Sequence, residues 1–231
     1  MTISDMTNTE ITEFLLSRCP CMYQPWWGFN PEHKHYKSFE NRLNLILPEI
    51  KLNGNKKLID IGCYIGWNTF ALNNKETSIT GVDINKTSIE LAQFLHDYHN
   101  LDKNHISFIR ADASEFLQTQ TDTYDYCICF NVMHHYLADW SKENKRDTSP
   151  ERSVVFKPAG IKFLKSIQSN CKIAFFQIRL RYPDLNYKEK EDNKFITYLI
   201  NEIGFKSYKI LQTENNDDYF RSPNPIYMFN N

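Results

Sequence analysis

Apolar residues follow two rhythms along the chain, and the changeover lies near residue 56. Before it the spacing is helical. "EITEFLLSR" predicts a short helix with Thr9 as its cap, and "YKSFENRLNLIL" lines up Phe39, Leu43, Ile46 and Leu47 on one face. After it, runs of strand length ("KLIDI", "TSITGVDI", "HISFIRA", "YDYCICFN", "KIAFFQI") alternate with helical segments ("GWNTFALNN", "NKTSIELAQFLHDYHN", "ASEFLQ", "KPAGIKFLKSIQSN"). Pro158 suits the start of the last of these helices. Strictly alternating strands and helices predict a parallel sheet covered on both faces, hence three layers. The end breaks the alternation: the helix "NKFITYLINEIG" is followed by "FKSYKILQT" and "NPIYMFN" with no helix between them. Two such strands predict an antiparallel pair at the sheet edge. The expected organisation is a helical cap or lid over residues 1–55 and one α/β domain over 56–231.

Composition narrows the class. A chain of 231 residues with 16 Phe, 13 Tyr and 4 Trp can fill one substantial core. Lys and Arg total 27 against 28 Asp and Glu, a net charge of −1, so there is no basic field of the kind that binds phosphate backbones. A nucleic-acid partner is therefore disfavoured, although a local patch needs no global excess. The opening "MTISDMTNTEITEF" carries acidic residues and no signal-like run, and no stretch approaches the apolar length of a membrane span. A cytoplasmic protein without a membrane partner is the expectation. Cys19 and Cys21 form a C-x-C pair with no second pair at zinc-site spacing, so no metal is expected. Cys127 and Cys129 share one strand face and read as core.

Chemistry concentrates where strands end. In open α/β sheets ligands bind beyond the carboxyl ends of the strands, and here those positions hold Asp60 to Gly66, Asp83, Asp112 and Asn131 to His135. Asp83 follows Gly62 by about 20 residues, the interval at which an acid ending the second strand meets a ribose diol. The first loop reads D-x-G-C-x-x-G instead of the dinucleotide pattern G-x-G-x-x-G.

In this order "LIDIGCYIG", "GVDI", "IRADASEF" and "FNVMHH" resemble the successive motifs of the class I S-adenosylmethionine-dependent methyltransferases, from about Lys57 to the C-terminus. The resemblance implies a Rossmann-like, seven-stranded, mostly parallel sheet with an antiparallel last strand, and S-adenosyl-L-methionine as cofactor. By motif position Asp60 and Gly62, with Cys63, Tyr64 and Gly66 in the same loop, would line the amino-acid part of the cofactor. Asp83 would hold the ribose hydroxyls, Ile84 would pack on the adenine unless it is ordinary core, and Asp112 with Ala113 would address the adenine edge. Asn131 would approach the methionine moiety. Cys63 reads as a small buried side chain, not a nucleophile. Tyr64 departs from the family, standing where many members carry a glycine; its ring must either point away from the cofactor or line the pocket. Some members that modify tRNA wobble uridines or bacterial surface sugars share that replacement and carry an Arg-containing helix ahead of the first strand. Arg42 is then a candidate for the cofactor carboxylate, or else a residue on a solvated helix face.

Methyl transfer to a hydroxyl or protonated amine needs a base. His134 and His135 follow the fourth strand, and one of them is expected to serve, the alternative being that they cap the strand end or orient Asn131. Tyr23, Trp26, Trp27 and Tyr36 form an aromatic stretch that is either a hydrophobic cap or a wall over an apolar or planar acceptor. Tyr136, Arg179 and Arg181 sit beyond strand ends as candidate acceptor contacts, the arginines either suiting a phosphate or carboxylate or being solvated loop charges. The expected activity is methyl transfer to an oxygen or nitrogen of a small or medium-sized metabolite. The alternatives are a tRNA-modifying methyl or carboxymethyl transferase and a non-catalytic cofactor-binding partner.

Overall fold

Seven strands form one sheet in the order β3-β2-β1-β4-β5-β7-β6, seen in a computed structural model that describes residues 6–19, 26–27, 36–74, 76–136, 157–177, 194–211 and 225–231. The strands are β1 (Lys56–Ile61), β2 (Thr77–Asp83), β3 (Ile106–Arg110), β4 (Tyr124–Phe130), β5 (Cys171–Gln177), β6 (Ser207–Leu211) and β7 (Ile226–Asn230). β1, β2 and β3 pair in parallel, as do β4 and β5. β7 lies between β5 and β6 and runs antiparallel to both. The trailing pair therefore sits at the sheet edge as its spacing predicts, with the later strand on the inside. The helices are α1 (Asn8–Arg18), α2 (Tyr36–Ile46), α3 (Trp67–Ala71), α4 (Lys86–Tyr98), α5 (Ala113–Gln118) and α6 (Pro158–Asn170). A helical stretch over 194–203 ends in a π-helical turn, Leu199–Ile203. None of the helices described is long and apolar enough to cross a membrane.

Local signals explain most boundaries. The cap of α1 is Thr7, not Thr9. The Thr7 hydroxyl accepts from the Glu10 N–H at 3.3 Å, and the Glu10 carboxylate accepts from the Thr7 N–H at 2.7 Å, a reciprocal capping box. The T-x-x-E spacing starts at Thr7, whereas Thr9 has no acid three residues on. Asn85 caps α4 by accepting from the Ser88 N–H at 3.0 Å. Pro158 opens α6, where its missing N–H costs nothing.

The described residues fall into two units, one up to Ala113 and one from Ser114. In the first, α1 buries Ile11 and Leu15 in an apolar cluster with Trp26, Tyr64, Ile65, Phe70, Phe108 and the inner face of α4, Ile89, Ala92 and Leu95. In the second, rings dominate: Phe176, Phe195, Phe205 and Phe229 meet at centroid distances of 5.3 to 6.3 Å, edge-on or tilted. Cys127 and Cys129 are fully buried in β4, as their alternation predicts.

Gly81 marks a tight approach in the first unit. A Cβ there would lie 2.8 Å from the Phe108 ring and 3.0 Å from Cys63 Sγ. Gly81→Ala is expected to cost about 1–3 kcal/mol through overpacking, and Phe108→Leu in the same chain should recover part of it. Urea unfolding of the two variants checks this; a Gly81→Ala midpoint equal to the parent's contradicts it.

Candidate active site

The loop after β1 is built from left-handed residues. Gly62, Tyr64 and Gly66 have φ of 69°, 52° and 86°. The Gly62 and Cys63 N–H groups donate to the Val82 carbonyl at 2.8 and 3.2 Å, and the Gly66 N–H closes the turn on the Cys63 carbonyl at 2.9 Å. A Cβ at Gly66 would also strike the Phe108 ring at 2.7 Å, so both conformation and space demand glycine there. Tyr64 is costly there: a bulky side chain at positive φ costs on the order of 1–3 kcal/mol and persists only when its surroundings hold it. Here the ring is 8% exposed within the cluster containing Ile11 and Leu15, and its hydroxyl lies 2.8 Å from Cys19 Sγ. The ring is thus packed into the core of its unit instead of lining an open pocket.

The backbone of Tyr64 faces the other way. Its N–H donates to Asp83 Oδ2 at 2.9 Å, and the Asn85 N–H donates to Oδ1 at 2.8 Å. Asp83 ends β2 half-buried, with its carboxylate oriented by two backbone donors. Each carboxylate oxygen accepts more than one hydrogen bond, so capacity remains for hydroxyls. Next to it Ile84 is 68% exposed, which rules out its reading as core and leaves an apolar side chain presented to solvent beside a polar clamp. The Ala111 N–H donates to the Asp83 carbonyl at 3.1 Å, bringing the end of β3 alongside. Asp112 is half-buried immediately before α5, and Ala113 is buried as its first residue.

Asp60 is 1% exposed and accepts from the Thr69 hydroxyl at 2.8 Å. Burial lifts its carboxyl from 3.8 to about 7, with the charge of Asp83 adding to the rise and hydrogen bonds from Thr69 and Asn68 opposing it. Burial also pushes the Cys63 thiol up, helped by the charges of Asp60 and Asp83, which leaves it unsuited to act as a nucleophile. The donors Asn68 and Thr69 sit in the first turns of α3, and sequence inspection missed them. The signal was present as polar residues opening a short helix otherwise made of Trp67 and Phe70.

Arg42 lies in α2 and is 6% exposed, so it is not on a solvated helix face. Its guanidinium sits 4.0 Å from the Phe39 ring centroid, and its Nε–H donates to the Ser38 carbonyl at 3.2 Å. Phe39 packs edge-on to Trp67, the first residue of α3, at 5.4 Å, so α2 is tied to the helix that follows the loop. Trp26 is buried in the cluster beneath α1, and Trp27 stacks on Phe70 at 5.9 Å and meets His99 edge-on at 5.0 Å. Both indoles pack within the first unit. Tyr36 opens α2, but its side chain lies outside the described residues, as does Tyr23.

In the second unit Asn131 follows β4 at φ 57°, a conformation Asn tolerates. Its N–H donates to the Gln177 carbonyl at 2.8 Å and its Nδ2 to Gln177 Oε1 at 3.4 Å. A 3₁₀ turn, Met133–Tyr136, carries the histidines. His135 is exposed, while the side chain of His134 lies outside the described residues. Tyr136 stacks on Phe163 of α6 at 4.5 Å with rings 12° apart. Arg179 and Arg181 lie outside the described residues.

Comparison with known proteins agrees with this geometry. A family model described as a methyltransferase domain matches residues 58–159. Ubiquinone biosynthesis O-methyltransferases are similar: that of Saccharophagus degradans is 24% identical over 66% of this chain and 61% of its own, and that of Vibrio parahaemolyticus is 24% identical over 68% and 63%. The chain thus spans just over three fifths of these relatives' length. Among solved structures, the bifunctional kinase-methyltransferase WbdD superposes with a TM-score of 0.65 at 18% identity over 95% of this chain and 46% of that one. Magnesium protoporphyrin IX methyltransferase from Synechocystis, solved with bound S-adenosylmethionine, superposes at 0.57 and 15% over 98% of both chains. Residues 58–159 thus match a methyltransferase domain, and the seven-stranded sheet with its antiparallel β7 is the fold that this chain shares with these solved methyltransferases.

The Asp60 carboxyl carries a pH signature. A carboxyl whose proton is held more tightly in the folded state opposes folding once pH climbs above its unfolded value, so its penalty grows between about pH 4 and 7 and is constant above. Asp60→Asn should therefore gain stability over the parent across that window, by on the order of 2–4 kcal/mol at pH 8. Thermal unfolding at pH 4.5 and pH 8 checks it; equal differences at both pH values contradict it.

Proposed function

We propose that the chain transfers a methyl group from S-adenosyl-L-methionine to an oxygen or nitrogen of a small or medium-sized metabolite. The observation that carries this reading is the Asp83 carboxylate, oriented by the Tyr64 and Asn85 N–H groups beside an isoleucine left 68% exposed. A clamped carboxylate next to an exposed apolar side chain suits a nucleoside, whose ribose diol donates and whose base stacks. Asp112 and Ala113 would address the base edge, Asp60 and the loop Gly62 to Gly66 the amino-acid portion, and Arg42 its carboxylate. The fold shared with a protein solved with bound S-adenosylmethionine supports the cofactor, and likeness to O-methyltransferases supports an oxygen acceptor.

The cofactor supplies an electrophilic methyl on a positively charged sulfur. The chain's own residues orient the acceptor and move one proton. His135, exposed in the turn after β4, or its neighbour His134 takes the acceptor's proton, a role that imidazole fills near neutral pH. Asp60, whose carboxyl sits at about 7, is pulled toward its ionised form by a cationic ligand, so cofactor affinity should rise from pH 6 to pH 8.

Two outcomes test the reading. Asp83→Ala is expected to weaken S-adenosylmethionine binding by roughly tenfold to a hundredfold in calorimetry, since hydrogen bonds to charged groups contribute about 1.5–3 kcal/mol; an unchanged affinity sinks the ribose assignment. When cell extract is incubated with methyl-labelled cofactor, an acceptor should become labelled. Replacing the basic histidine by Asn should lower its turnover by about 10² to 10⁴ with cofactor affinity held. Cofactor binding without any labelled acceptor favours a non-catalytic binding protein.

A further inference from the structure

We propose that Tyr64 is a positioning residue through which helix α1 holds the Asp83 carboxylate in the orientation that receives the cofactor's ribose diol. This rests on the S-adenosylmethionine reading above. Three observations meet at one residue. Its φ of 52° is one that a tyrosine leaves when free to do so. Its ring is held by the cluster to which α1 contributes Ile11 and Leu15, and its hydroxyl touches Cys19 at the helix's C-terminal cap. Its N–H is one of the two backbone donors that orient Asp83.

The direction of dependence follows from those facts. A glycine at this position would hold the same turn without help, because it pays no steric cost at positive φ. Tyrosine keeps the turn only while its ring is docked. That dock includes α1, which contributes Ile11 and Leu15 to the cluster holding the ring and ends at Cys19 against its hydroxyl. Asp83 therefore receives its second N–H donor conditionally, and the condition is the packing of a helix that precedes the nucleotide-binding strands. Thermodynamic reciprocity requires the converse: a ribose bound to Asp83 must tighten the packing of α1.

A double-mutant cycle separates this role from mere packing. Calorimetry with S-adenosylhomocysteine should show Tyr64→Ala weakened about 10- to 50-fold and Leu15→Ala about 5- to 20-fold, with Tyr64→Phe, which retains the ring, within about threefold of the parent. In an Asp83→Ala background the Leu15→Ala loss should largely vanish. A purely structural role predicts a lowered melting temperature with unchanged affinity, or losses that add in full to that of Asp83→Ala; either result overturns the proposal. Where Tyr64→Ala does not fold, the unmodified chain still decides: S-adenosylhomocysteine should slow amide exchange in Asn8–Arg18 more than in Ile226–Asn230, and equal slowing overturns the coupling. If the unmodified chain binds neither S-adenosylmethionine nor S-adenosylhomocysteine, the functional reading falls first and the coupling with it.

Discussion

The hydrogen bond from the Tyr64 N–H to Asp83 Oδ2 joins the two ends of the site: the turn leaving β1 and the carboxylate ending β2. Both strands are set by parallel register, Asp60 opposite Gly81 and Ile61 opposite Val82, so the two ends arrive together. Without the Tyr64 bond the carboxylate would keep one backbone donor, the Asn85 N–H, and only one of its oxygens would be fixed. The bond converts that proximity into a fixed acceptor, and the left-handed turn at Gly62, Tyr64 and Gly66 is what points the N–H at it. The exposed Ile84 and the helix start at Ala113 acquire meaning only around that fixed point.

Holding this arrangement costs stability in two places. Tyr64 sits in a conformation its side chain disfavours, and Asp60 is buried, which raises its carboxyl to about 7. Both costs fall at the end of β1 and the turn after it, which are expected to meet the cofactor, and are offset by packing behind them. The Tyr64 ring lies in one apolar cluster with residues of α1, Trp26 and α4, while Phe39, with the Arg42 guanidinium over its ring, packs on Trp67 at the start of α3. Strain concentrated at a ligand site and opposed by an ordinary apolar core is how a marginally stable chain keeps a pre-oriented site.

The succession of strands and helices and the strand-end acids were legible in the sequence because both follow from short-range rules. Alternating apolar runs give the elements, and an α/β sheet sends its polar strand ends to one edge. Ile84, Arg42 and Tyr64 each kept two readings, because exposure depends on which helix covers which strand, and no local pattern carries that. Burial removes the solvated-face reading of Arg42, and exposure removes the core reading of Ile84. The cap at Thr7 was available in the T-x-x-E spacing and was displaced by the nearer Thr9. The Tyr64 bond to Asp83 could not be read in advance, since it joins the turn after β1 to the end of β2 through a backbone atom that has no residue-specific signature.

A crystal structure of the chain with S-adenosylhomocysteine tests the central claim most directly. The account predicts both ribose hydroxyls within hydrogen-bond distance of the Asp83 carboxylate, the adenine against Ile84, and the Tyr64 N–H still donating to Oδ2 with its ring buried under α1. A nucleoside bound elsewhere, or one held by an Asp83 that has turned away from Tyr64, would contradict it.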